Sequence, residues 1–133
     1  MKAKVNIERA SDGTYQCYIS EGQLPFGVIG VGATVKKAIV DFHSAHEAMK
    51  EHYKEMGGVF PEVTYDFAYD MPSFLQHYAY AFSLAGLERI TGVHQKQLWH
   101  YLNGIKKPRA VTVRKIEARI RNFGSEIASV DFT

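Results

Sequence analysis

The chain has 133 residues, 46% hydrophobic and 13% aromatic, with a formal net charge of +2. This length fits one medium domain or two very small ones, and the apolar and aromatic content is normal for a globular protein, so we do not expect disorder. No apolar run is long enough to span a bilayer, and the N-terminus alternates polar and apolar residues, so we expect neither membrane insertion nor a signal peptide. Cys17 is the only cysteine, which excludes an internal disulfide and a cysteine-based zinc cluster. A reducing, cytoplasmic location is the expectation.

The small total charge hides opposite charges in the two halves of the chain. Residues 1–70 carry seven Lys and Arg against ten Asp and Glu, a net of −3, whereas residues 71–133 carry nine against four, a net of +5. This asymmetry indicates that only the C-terminal half meets a polyanion.

The first half of the chain predicts the order β-β-β-α-β. Alternating or continuous apolar patterns predict strands over residues 4–8, 15–19, 28–32 and 63–69. Two glycines in the third strand, Gly30 and Gly32, indicate a bulge or a close backbone approach. Thr34 is suited to cap a helix whose apolar positions keep a three-to-four spacing as far as Met56, where two glycines end it. A small sheet with one helix packed on it follows.

From Met71 onward, every periodic segment is helical. The spacing predicts helices over residues 73–82, 84–91, 94–103 and 112–123. We therefore predict an α+β protein of two domains, residues 1–70 and 71–133, with the second entirely helical.

The second and third of these helices predict a helix-turn-helix. Ser83 is suited to cap the first, and Gly92 can adopt the positive φ that a sharp turn between helices requires. Val93 then fills the corner, while Leu98, Tyr101 and Leu102 form a buried stripe. The remaining side chains point outward, where Gln can pair with adenine and Lys can donate to guanine in the major groove. The predicted base-reading residues are His94, Gln95, Lys96, Gln97 and His100. The predicted phosphate-contacting residues are Asn103, Lys106, Lys107 and Arg109.

These residues resemble a known type of DNA-binding domain. Residues 87–98 (LERITGVHQKQL) and 103–108 (NGIKKP) are similar to the helix-turn-helix of Cro and phage repressors, and the likeness covers residues 73–123. Glu88 replaces the small alanine usual in that family, and His94 replaces the usual Ser or Thr cap. The resemblance implies a transcriptional repressor that binds a double-stranded DNA operator, located in the cytoplasm with the bacterial nucleoid. We expect a homodimer or homotetramer because one short helix makes too few contacts.

The first half resembles a different family. Residues 24–38 (LPFGVIGVGATVKKA) are similar to the HicB antitoxin family, over residues 3–68. Phe26 and the pair Lys36-Lys37 depart from its usual Leu-Pro-Gly and acidic helix start. The resemblance implies a reduced ribonuclease-H-like fold that blocks a HicA-like mRNA-cleaving toxin. Four acidic residues of the helix are the expected partner-binding residues: Asp41, Glu47, Glu51 and Glu55. The aromatic strand at residues 65–69 is the expected assembly edge.

Enzymatic chemistry is the competing class. A ribonuclease-H-like nuclease needs several carboxylates around metal ions, and the first strands supply only Glu8 and Asp12. His43 and His46 lie three residues apart on one helix without a third ligand, and Cys17 lies on the apolar side of its strand. We therefore expect no catalytic residue, no metal and no cofactor. The alternatives are a Cro-like repressor whose N-terminal domain dimerises or senses a ligand, and a metal-dependent nuclease.

Overall fold

A computed structural model describes all of residues 1–133 and has an α+β fold with a mixed four-stranded sheet and five α-helices. The chain divides into two compact units, which we call the N-terminal unit (Met1–Ser73) and the C-terminal unit (Phe74–Thr133). The division lies close to the predicted boundary. None of the helices combines the length and the apolar character needed to cross a membrane.

The elements follow the predicted order in the first half of the chain. They are β1 (Lys2–Arg9), β2 (Tyr15–Ile19), β3 (Ile29–Gly32), α1 (Val35–Glu55) and β4 (Thr64–Tyr69). The helical part comprises α2 (Met71–His77), a 3₁₀ turn (Tyr78–Tyr80), α3 (Leu84–Thr91), α4 (Gln95–Leu102) and α5 (Ala110–Ala128). The β-β-β-α-β prediction is therefore confirmed.

The sheet has the order β3-β2-β1-β4. β1 pairs antiparallel with β2 and parallel with β4, while β2 pairs antiparallel with β3. The aromatic strand β4 therefore lies at an edge, as predicted. Alternate residues of β1 and β2, among them Val5, Ile7 and Cys17, are fully buried with Phe42 of α1. Thr34 caps that helix, since its side-chain oxygen accepts from the Lys37 N–H at 3.1 Å.

β3 and α1 approach each other more closely than side chains would permit. A Cβ on Gly30 would lie 2.3 Å from the Ala38 carbonyl oxygen and 2.3 Å from the Phe42 nitrogen. A Cβ on Gly32 would lie 2.5 Å from the Ala38 nitrogen. β3 also pairs with β2 in an uninterrupted register. The two glycines therefore serve a close backbone approach rather than a bulge.

The buried thiol of Cys17 provides a test of this core. Burial raises its pKa to about 11, and the side chain is inaccessible. Because the thiolate is the reactive form, we expect Cys17 to resist a disulfide reagent at pH 8 in the native protein and to react fully in denaturant. The absorbance of the thiolate that the reagent releases measures the rate of reaction of Cys17 in the native and in the denatured protein. Rapid modification of the native chain would contradict the packing of this sheet face.

The helical half differs from prediction at its ends. α2 begins at Met71 because the Asp70 carboxylate accepts from the Ser73 N–H at 2.9 Å, and proline is tolerated in a first turn. The predicted continuation to residue 82 is wrong, since the 3₁₀ turn follows His77. α5 extends beyond both predicted ends and runs through Gly124.

Candidate nucleic-acid interface

The turn between α3 and α4 has the geometry that its sequence predicts. Ser83 caps α3, because its hydroxyl oxygen accepts from the Gly86 N–H at 2.9 Å. α3 ends at Gly92, whose φ of 75° lies in the left-handed region, and the Gly92 N–H donates to the Glu88 carbonyl. Only glycine adopts this conformation without strain. The buried hydroxyl of Thr91 also stabilises the turn. It donates to the Leu87 carbonyl at 2.7 Å and accepts from the Val93 N–H at 3.1 Å.

A buried stripe fixes the orientation of α4. Val93, Leu98 and Tyr101 are at most 8% exposed, and Leu87 of α3 is also buried. Leu102 is half-buried. With this side turned inward, the opposite face of α4 is available to a partner. The predicted division into inward and outward positions is therefore present in the helix.

Most of the predicted DNA-contacting residues lie at the surface. The exposed members are His94, Gln95, Lys96, Asn103, Lys106, Lys107 and Arg109. Asn103 uses its side-chain nitrogen to donate to the Trp99 carbonyl at 2.9 Å, so it also ends α4. The basic residues that follow α4 are open to solvent.

Two predicted base-reading residues, Gln97 and His100, are only half-exposed. The Gln97 side-chain nitrogen donates one of its two hydrogens to the Tyr101 hydroxyl at 3.0 Å, which fixes the orientation of the amide and leaves one hydrogen and the oxygen for a base edge. The His100 Nδ1 atom is buried and has no hydrogen-bond partner, which leaves Nε2 as its single available nitrogen. The exposed face of α4 therefore contains fewer residues than the sequence predicts, and its centre is formed by Gln95, Lys96 and Trp99.

The residues that depart from the Cro-like pattern, Glu88 and His94, contact each other at the start of α4. Glu88 Oε1 accepts from the Gln95 N–H at 2.7 Å and lies 3.8 Å from His94 Nε2. His94 Nδ1 accepts from the Lys96 N–H at 3.1 Å, so the imidazole performs the capping role expected of Ser or Thr. A carboxylate at a helix N-terminus is also favoured by the helix dipole. The sequence signalled both residues as unusual but not their contact.

Replacing Glu88 tests this cap. Glu88→Ala removes the acceptor of the Gln95 N–H, and we expect the free energy of unfolding to fall by about 1 kcal/mol. Glu88→Gln keeps an acceptor oxygen but loses the charge, so the expected loss is about 0.3–0.5 kcal/mol. Urea denaturation followed by circular dichroism measures both values. Equal losses in the two variants would show that charge, not the hydrogen bond, is what Glu88 supplies.

Exposed basic residues also follow α4 along the chain. Exposed basic side chains of the loop after α4 and of α5 are Lys106, Lys107, Arg109, Arg114, Lys115, Arg119 and Arg121. The Lys115 ammonium lies beside the turn, where it would be 3.4 Å from a Cβ on Gly92. Arg121 is paired with Glu117 at 3.2 Å and is partly neutralised. The net charge of residues 71–133 is +5, so the C-terminal unit has a field that attracts polyanions.

The predicted partner-binding acids of α1 are all exposed. Glu47, Glu51 and Glu55 are spaced four residues apart and lie on one face. Asp41 differs, because its carboxylate accepts from the Val31 N–H of the edge strand β3 at 2.8 Å. Four lysines of α1 balance its four acids, so the helix as a whole has no net charge.

The side chains proposed for enzymatic chemistry have structural partners. Glu8 accepts from the Tyr18 hydroxyl at 2.5 Å, and this bond is the main reason that the pKa of Tyr18 rises to about 12. Asp12 accepts from the hydroxyl and N–H of Thr14, which together lower its pKa. His46 Nδ1 is 2.6 Å from the Tyr65 hydroxyl.

No group of three or more His, Cys, Asp or Glu side chains is arranged to hold a metal ion.

Comparisons of the chain with protein-family models, curated proteins and solved structures gave no match.

Proposed function

We propose that the chain is a sequence-specific DNA-binding transcriptional regulator, in which α3 and α4 form a helix-turn-helix and α4 enters the major groove. The observation that carries this proposal is the two-sided character of α4. Its inner side is fixed by Leu98 and Tyr101, while Gln95 and Lys96 are exposed on its outer side beside a basic loop. A helix with only a structural role has no need of this combination.

The dimensions and chemistry of α4 fit a major groove. An α-helix with its side chains is about 10–12 Å across, and the major groove is about 12 Å wide. Gln95 and Lys96 stand in the first turn, the part of a recognition helix that contacts base edges. Lys106, Lys107 and Arg109 follow the helix end, where they would neutralise phosphates of the backbone.

Selection from a randomised pool of duplex DNA tests the proposal. The full chain should enrich a defined sequence and bind it at least about 10³-fold more tightly than random duplex at physiological salt. Fluorescence anisotropy of labelled duplexes measures both affinities. Failure to enrich any sequence, with equal binding to every duplex, would overturn sequence-specific regulation.

We further propose that the regulator is of the HicB antitoxin type, repressing its own operon and neutralising a HicA-like toxin through the N-terminal unit. The β-β-β-α-β order and the exposed row Glu47, Glu51 and Glu55 support this assignment. An RNA-cleaving toxin needs a basic face to hold phosphates, and the acidic row has the complementary sign.

Co-expression tests the antitoxin role separately. The full chain and a variant with all three glutamates changed to glutamine are each expressed with the protein encoded by the neighbouring reading frame, and growth and RNA integrity are followed. The native chain should relieve toxicity and the variant should do so less. If the neighbouring product is not toxic, or if the native chain gives no relief, a Cro-like repressor with a dimerising N-terminal unit replaces this proposal.

Regulation of this kind predicts assembly through the N-terminal unit. β4 is an edge strand, and its Tyr65 and Phe67 contact Phe42 of α1, so a second copy is expected to pair with its backbone. We expect light scattering to report a dimer or tetramer for the full chain and a monomer for residues 74–133. An equally stable dimer of the fragment would move the interface to the helical unit.

A further inference from the structure

Trp99 is a large apolar side chain at the surface of α4. It is 48% exposed, whereas Leu98 and Tyr101 of the same helix are buried and Leu102 is half-buried. It is also the only tryptophan in the chain. Single exposed apolar side chains are common at protein surfaces, so the exposure of Trp99 alone does not point to a partner; its place on the polar face of α4 does.

The neighbours of Trp99 define where such a partner would lie. Gln95 and Asn103 are four residues away on either side, and Lys96 is three residues before it, so polar side chains surround the indole on one helix face. The ring contacts His100 edge to face, with centroids 5.6 Å apart. Trp99 is therefore held at the middle of the surface that we propose to face base pairs.

We propose, on the basis of the DNA-binding function above, that Trp99 selects thymine by packing against its 5-methyl group. The thymine methyl is the one apolar group that a base pair presents in the major groove, and apolar side chains recognise it. In the first turn of α4, Gln95 and Lys96 supply hydrogen bonds. One turn later along the helix, Trp99 supplies an apolar contact. The preferred site therefore contains a thymine opposite the centre of α4.

Substitution of single thymines by deoxyuridine tests the contact, because it removes only the methyl group. The probe is the duplex enriched from the random pool, resynthesised with one deoxyuridine at a time. At one position the native chain should lose affinity about fourfold, the value of one buried methyl. At that same position Trp99→Ala should bind both duplexes equally, whereas Trp99→Phe should keep part of the preference.

Fluorescence supplies a second readout that needs no substitution in the protein. Because Trp99 is the only tryptophan, its emission should change on binding to the enriched duplex, and the change should be smaller with the deoxyuridine duplex. Thermal melting by circular dichroism checks that Trp99→Ala and Trp99→Phe both fold. If Trp99→Ala does not fold, Trp99→Phe still tests the contact.

The outcomes separate this inference from the function on which it rests. If the native chain discriminates among duplexes but no deoxyuridine changes its affinity, methyl recognition is wrong and DNA regulation stands. The same holds if the emission of Trp99 is unchanged on binding. If the native chain binds all duplexes alike, the proposed function fails, and the inference fails with it.

Discussion

Gly30→Ala is expected to unfold the N-terminal unit at temperatures where the native chain is fully folded. The new methyl group would lie 2.3 Å from the Ala38 carbonyl oxygen, 2.3 Å from the Phe42 nitrogen and 2.6 Å from the Phe42 Cα. All three are backbone atoms of α1, so no side-chain rotation relieves the contact, and the helix must move away from the sheet. That movement exposes Phe42, and we expect a loss of at least about 3 kcal/mol. Urea denaturation, with thiol modification of Cys17 as a second probe, measures it.

Gly27→Ala is the matched control, because it makes the same change just before the strand. A Cβ there meets nothing within 4 Å, and Gly27 does not have a positive φ. We expect its stability to stay within about 0.5 kcal/mol of the native chain. Similar losses for the two variants would mean that glycine flexibility, rather than the β3–α1 approach, matters in this segment.

Lys96→Ala and Lys107→Ala are expected to weaken DNA binding in two different ways. Lys96 stands in the first turn of α4, so its removal should cost about 1–3 kcal/mol on the enriched duplex and relax the preference for one base pair. Lys107 lies in the loop after α4, so its removal should weaken every duplex alike and reduce the slope of log affinity against log salt by about 0.9. Anisotropy titrations at several salt concentrations separate the two effects.

Lys50→Ala provides the control for charge alone, since Lys50 is an exposed lysine of α1 in the other unit. Its removal should leave the base preference and the salt slope unchanged. Should Lys96→Ala instead weaken enriched and random duplexes equally, α4 would be a phosphate-binding helix and another element would read the bases.

The fold of the N-terminal unit was largely predictable because its signals are local. Alternation along β1 and the spacing of apolar residues in α1 are properties of consecutive residues, and Thr34 and the glycines after Met56 mark the helix ends. The parallel pairing of β4 with β1 is different, since more than fifty residues separate the two strands and no local signal specifies it. The sequence predicted a sheet but not its strand order.

The candidate site was predictable in outline but not in its hydrogen bonds. The buried stripe of α4 follows from helical spacing, so the exposed positions were largely correct. The bonds from Gln97 to Tyr101 and from Gln95 to Glu88 depend on how α3 and α4 pack and on rotamer choice.

The bond from Val31 to Asp41 has a consequence for how copies of the chain can associate. With the Val31 N–H occupied by a carboxylate, β3 offers an incomplete ladder to an added strand, and β4 is the other edge of the sheet. Two sheets joined symmetrically through β4 would form one continuous sheet bounded on both sides by β3. The proposed pairing would then end at the dimer, because each outer edge of the joined sheet would be a β3 strand whose Val31 N–H is already bonded to Asp41.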